Sequence, residues 1–236
     1  MELIKELWNK KDAQEFNRYL ESIKLEDKID FTKRIVNTKM KVLGIPIPKL
    51  REISKQIAKG NYKSYLDNKN NQYYENTIIN VCLINIIKDF ETKKHYLNEL
   101  YIDNWSTCDT LTFKVKRQEE QYWNLSQEYL KSKDAFKRRV GIRILFSYKN
   151  HIEYLDRIFE VIDKFYNEEE YYVNMAIAWL VCELMIYNRD KTLKYLEHHN
   201  LNKFTINKAI SKCRDSYRVS KEDKELLLKY KIIEKR

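Results

Sequence analysis

The apolar positions of this chain recur at spacings of three and four, which predicts amphipathic helices along most of its length. Ile78, Ile79, Cys82, Leu83, Ile86 and Ile87 form one stripe, wide enough to bury a whole helix face in a core. Others run through Ile142, Leu145 and Phe146, through Ala176, Ile177, Leu180 and Leu184, and through Ala209, Ile210 and Cys213. The polar clusters DNKNNQ (67–72), KNH (149–151), YNRD (187–190) and HHNLN (198–202) read as turns between helices. One segment departs from the helical pattern. LGIPIPKLREI (43–53) carries Pro46 and Pro48, a pair that a helix interior rejects, although Pro48 suits a first turn. It predicts a short extended elbow followed by a helix over 48–59.

The pattern also repeats. FKRRVGIRIL (136–145), YVNMAIAWLV (172–181) and FTINKAISKC (204–213) each set an aromatic residue three or four positions before Arg139, Met175 or Lys208, and an apolar stripe follows. Periods of this size in a helical chain indicate stacked helix pairs, in which each repeat buries its apolar face on its neighbours. The fold expected is all-α, a right-handed α-solenoid of helical repeats forming one domain over 1–236, with residues 1–35 as an N-terminal helical segment. Corresponding helices of a solenoid line one concave surface. Arg138, Arg139, Arg143, Lys208, Lys212, Arg214 and Arg218 fall in or just beyond such helices and would make that surface basic.

Composition narrows the picture. With 3 Gly and 2 Pro in 236 residues, turn-rich sandwiches, barrels and glycine-loop nucleotide folds are excluded. Disorder is excluded as well, because 4 Trp, 18 Tyr and 9 Phe join the aliphatic residues in building a core. The formal charge of +10 is read either as a solvated Lys-rich surface or as the footprint of a polyanion, with duplex DNA the first candidate. No apolar run approaches the roughly 20 residues of a membrane span. Cys82, Cys108, Cys182 and Cys213 are scattered without CxxC spacing, so neither a zinc site nor a disulfide framework is expected. The four histidines fall in turns or surface segments. A reduced, cytoplasmic monomer is expected, nucleoid-associated when bound to DNA, with no cofactor.

The candidate chemistry lies in DNWSTCDTL (103–111), where Trp105 and Asp109 are four apart and share a helix face. Each has an ordinary reading beside the functional one. Trp105 and Trp179 would be core residues, Asp109 a dipole-complementing acid near a helix start, and Arg139 a solvated or paired cation.

Taken in order, these segments resemble the AlkD family of DNA alkylation repair glycosylases, built from HEAT-like repeats, over about residues 35–220. LGIPIPKLR (43–51) is similar to the family's elbow and NWSTCD (104–109) to its Trp-x-x-x-Asp segment. KRRVGI (137–142) is similar to its arginine-bearing helix, MAIAW (175–179) to its Ala-Ile-x-Trp helix, and NKAISKCRDSYRVS (207–220) to its basic C-terminal helix. The resemblance implies hydrolysis of the N-glycosidic bond of cationic alkylpurines such as 3-methyladenine and 7-methylguanine. It makes Asp109 the catalytic carboxylate, Trp105 and Trp179 an aromatic cradle, and Arg139 a DNA-backbone contact. The chain departs from the pattern at Ser106, Met175 and Cys182, where the family carries an acid, a base and an arginine. Two alternatives stay open: a non-catalytic HEAT-like protein that binds branched or distorted DNA, and a protein-interaction scaffold whose charge is incidental.

Overall fold

The computed structural model describes residues 1–233, and among them the chain is all-α, with fourteen α-helices and three short 3-10 turns. One isolated bridge between Lys41 and Tyr73 is the nearest approach to a sheet. The helices group into two compact units, Met1–Thr112 and Phe113 onward.

The first unit contains α1 (Lys10–Ser22), α2 (Glu26–Val36), α3 (Ile47–Ile57), α4 (Tyr62–Asp67), α5 (Tyr74–Ile86), α6 (Phe90–Asn98) and α7 (Trp105–Thr110). Its centre is α5, in which every residue from Tyr74 to Val81 is buried. That run includes Glu75, Asn76, Thr77 and Asn80, which the apolar stripe alone does not place inside. Buried polar groups need partners, and these tie α5 to its surroundings. The Leu43 N–H donates to the Glu75 carboxylate (2.9 Å), Asn76 donates to Asn17 of α1 (2.9 Å), and Asn80 donates to Asn71 (2.7 Å). Two expected members of the stripe behave otherwise: Cys82 is half-buried and Ile86 is 45% exposed.

The N-terminal segment is integral to this unit. Trp8 is fully buried and meets Tyr65 edge-on at 5.0 Å and Phe16 at 5.9 Å. Asn9 and Asp12 close a capping box at the start of α1.

The proline elbow forms as expected, with α3 starting one residue early at Ile47 and ending at Ile57 rather than 59. The Leu25 N–H donates to the Leu43 carbonyl (2.9 Å), so the elbow lies against the start of α2. Gly44 makes this possible with φ +73°, and a Cβ there would stand 2.5 Å from the Leu25 carbonyl oxygen. Both the left-handed backbone and the collision oppose any side chain, so Gly44→Ala should lower stability by about 1–3 kcal/mol. A urea titration checks this, and an unchanged midpoint would contradict it.

The second unit contains α8 (Glu119–Leu130), α9 (Ala135–Leu145), α10 (Leu155–Asp163), α11 (Tyr171–Tyr187), α12 (Arg189–Leu196), α13 (Lys203–Asp215) and α14 (Lys221–Leu226). The 17-residue α11 is apolar on nearly all sides and buried accordingly, packed between α9 and α13. The sequence repeat is a register of helix starts, since Phe136, Tyr172 and Phe204 are the second residues of α9, α11 and α13. Their rings, with Tyr171, form a chain of contacts: Phe136–Tyr172 at 5.4 Å, Tyr171–Tyr172 at 5.1 Å and Tyr171–Phe204 at 5.8 Å. Helices α8 and α9 meet closely at Gly141, where a Cβ would lie 3.0 Å from the Leu130 side chain.

Candidate functional site

Trp105 and Asp109 both lie on α7, a helix of six residues. A helix this short does not persist in water by itself, so its neighbours must hold it. They do so at both ends and along the side facing α5. Asn104 caps it by accepting the Thr107 N–H (2.9 Å), and Asp103 just before it accepts the Thr38 hydroxyl (2.7 Å) and the Lys39 N–H (2.8 Å). On the α5 side, hydroxyl pairs join Tyr74 to Ser106 (2.7 Å) and Thr77 to Thr107 (2.9 Å). Beyond the C-terminus, Asn85 donates to the Thr110 carbonyl (2.8 Å) and accepts the Thr112 N–H (2.8 Å). The buried Lys93 ammonium donates to the Thr112 carbonyl (2.8 Å).

Held in this way, α7 buries Thr107 and Cys108 and leaves Trp105 and Asp109 partly exposed. The core reading of Trp105 is therefore not what the structure shows. The indole N–H donates to the Ile35 carbonyl in the last turn of α2 (3.0 Å), which fixes the ring against that helix end. Ser106, where the family pattern has an acid, is engaged by Tyr74 and contributes to holding the helix.

The remaining candidates belong to the second unit. Trp179 is partly exposed on α11, and the Phe146 ring meets it at 4.8 Å. The Arg143 guanidinium lies 4.4 Å from the Phe146 centroid and 4.8 Å from that of Trp179, a cation held over two aromatic faces. Arg139 is buried and donates to the Tyr172 carbonyl, linking α9 to the start of α11. Arg138 forms a two-pronged pair with Glu168 (2.9 Å and 2.9 Å) and also donates to the Ser132 and Lys133 carbonyls. Lys208 stands exposed over Phe204 at 5.7 Å, while Lys212 is half-buried and Arg214 is exposed. The structure thus separates cations engaged in structural bonds, Arg138 and Arg139, from those open to solvent. Met175 is half-buried. The Cys182 thiol is buried and hydrogen-bonded to Cys213, so the position where the family has an arginine faces α13.

Arg218 is tied down by a residue that sequence reasoning missed. Glu183 is buried on α11, one turn beyond Trp179, and binds Arg218 together with Lys149 (3.1 Å). Its signal in the sequence was an acid inside an otherwise apolar helix. Burial opposes its ionisation, but the hydrogen bonds from Arg218 and Lys149 outweigh burial and hold its pKa below the usual value. Asp223 is likewise lowered, chiefly by Arg189. Folded-state values below the unfolded ones mean that this stabilisation is complete above the ordinary carboxylate range of about 4 and is lost as pH falls through the folded values. Thermal melts should therefore show Tm falling below about pH 4, with a shallower acid dependence in Glu183→Gln. Parallel curves for wild type and variant would contradict this.

No curated protein matches the chain. The sequence model of one family, described as DNA alkylation repair enzyme, matches residues 2–213 and so includes the N-terminal helices as well as those bearing Trp105 and Trp179. With that match spanning nearly its whole length, the chain belongs to the DNA alkylation repair enzyme family.

Proposed function

We propose that this protein is a DNA glycosylase that hydrolyses the N-glycosidic bond of cationic alkylated purines, 3-methyladenine and 7-methylguanine, in duplex DNA. The observation that carries the reading is α7 itself: a tryptophan and a carboxylate, both partly exposed, on a six-residue helix held at both ends and along its α5 side. Rigid placement of a charged group is what electrostatic stabilisation of a transition state requires.

The chemistry suits one carboxylate. An N-alkylated purine already carries positive charge, so the C1′–N9 bond breaks with its electron pair passing to the purine, which leaves neutral. No general acid is needed, unlike in the two-carboxylate glycosidases. Asp109 stabilises the oxocarbenium-like sugar and orients the water whose oxygen bonds to C1′. The proton released passes to the carboxylate and on to solvent. Trp105, on the same helix as Asp109, attracts the cationic base and sugar through its ring face, and Trp179 offers an aromatic face in the second unit. Arg143, Lys208, Lys212 and Arg214 contact phosphates, giving affinity without sequence reading. Arg138, Arg139 and Arg218 act more through the protein bonds they already make. A right-handed HEAT-like solenoid accompanies this reading, supported by the in-register starts of α9, α11 and α13.

Incubation with a duplex holding a single 7-methylguanine tests the proposal. Alkali-labile strand breaks at the lesion are expected, and none at an unmodified guanine. Binding without breaks would favour the non-catalytic DNA-binding reading, which the buried Cys182 at the family's arginine position supports.

A further inference from the structure

The first unit contains a cleft that the reaction does not use. A cavity of about 320 Å³ lies between α3, α5 and the end of α7, lined by residues that include Arg51, Ser54, Lys55, Cys82, Ile86 and Thr110. The volume is at the lower end of small-ligand sites. Two features set it apart from a packing defect. The exposed Ile86 and half-buried Cys82 belong to the apolar stripe of α5, yet they face the cleft instead of the core. Along the opposite wall, Arg51 and Lys55 stand one turn apart on α3, exposed, and neither is held in an ion pair or hydrogen bond among the described residues. An apolar floor under two cations on one helix face matches a ligand with an anionic head and an apolar body.

We infer that this cleft seats one sugar–phosphate unit of the DNA strand, with the phosphate on Arg51 and Lys55 and the deoxyribose ring on Cys82, Ile86 and Ala58. The cleft is coupled to the reacting helix by Asn85, which lines it and holds the backbone on both sides of Leu111. A strand seated there is registered against α7, one residue beyond Asp109. The inference rests on the proposed action on DNA, but it assigns a separate contact with its own signature.

Cys82 supplies that signature, because Cys108, Cys182 and Cys213 are buried. Iodoacetamide alkylation of the full chain, followed by mass spectrometry, reads its accessibility. A saturating duplex oligonucleotide should slow Cys82 alkylation at least tenfold. The double variant R51A/K55A should bind the duplex more weakly, with the slope of log affinity against log salt reduced by about 0.9, the share of one phosphate. Unprotected Cys82 in a sample where anisotropy shows the duplex bound would overturn the inference, as would an unchanged salt slope. Protection by free deoxyribose 5-phosphate but not by the duplex would also overturn it, by assigning the cleft to a small metabolite. Base release with an unprotected Cys82 removes this site alone, whereas protection without base release removes the glycosylase reading and leaves the site.

Discussion

Asp109→Asn is expected to lose about 10²–10⁴-fold in the single-turnover release of 7-methylguanine, the range ascribed to a positioned acid or base, while binding duplex DNA as wild type does. The two side chains differ in charge. Asparagine keeps the size and polarity of the side chain, so α7 and its contacts should survive. It lacks the negative charge that the oxocarbenium-like sugar needs, and it does not take the proton from water. The surroundings of α7 support the test, because Asn104, Asp103, Asn85 and Lys93 hold the helix through bonds of their own. A variant that released the base at the wild-type rate would remove Asp109 from the mechanism, and circular dichroism with DNA binding would show that the fold was intact.

Trp8→Ala should produce the largest loss of stability, about 3–5 kcal/mol, because a fully buried indole leaves a cavity that its neighbours only partly fill. The ring packs edge-on against Phe16 of α1 and Tyr65 of α4, so its removal loosens both helices. Trp8→Phe separates packing from polarity. The indole Nε1–H is buried without a hydrogen-bond partner, so phenylalanine removes a poorly satisfied donor while keeping an aromatic edge. Its cost should be smaller, about 1–2 kcal/mol. Chemical denaturation of both variants checks the order, and equal losses would show that ring volume is not the dominant factor. Below its melting temperature Trp8→Ala should retain base release, since Trp8 touches none of the residues assigned to chemistry.

Much of the fold was legible because helical periodicity is a local property. The elbow at 43–48, the turns after α4 and α12 and the starts of α9, α11 and α13 could all be read from a few neighbouring residues. Burial in three dimensions was less legible. Trp8 sits in a short charged segment whose pattern gives no sign of the Phe16 and Tyr65 rings that enclose it. The apolar stripe of α5 placed Ile86 in the core, but stripe membership does not say which neighbour ends before covering a residue. The short helices α4 and α14, six residues each, are too brief for periodicity to mark. At the candidate site, Trp105 and Asp109 were singled out by their spacing and by the family resemblance, whereas the charges were read without their partners. An arginine has the same letter whether it faces solvent or, like Arg138, is held by Glu168 thirty residues away. Glu183 was missed for the same reason, because its partners Lys149 and Arg218 lie 34 and 35 residues from it in sequence.

The central claim is that the carboxylate on α7 drives base release. Single-turnover release of 7-methylguanine from methylated duplex DNA by wild type and Asp109→Asn, with DNA binding measured in the same samples, tests it most directly. The account predicts release by wild type, loss of release in the variant and equal binding by both. Equal binding with no release by either protein would contradict it.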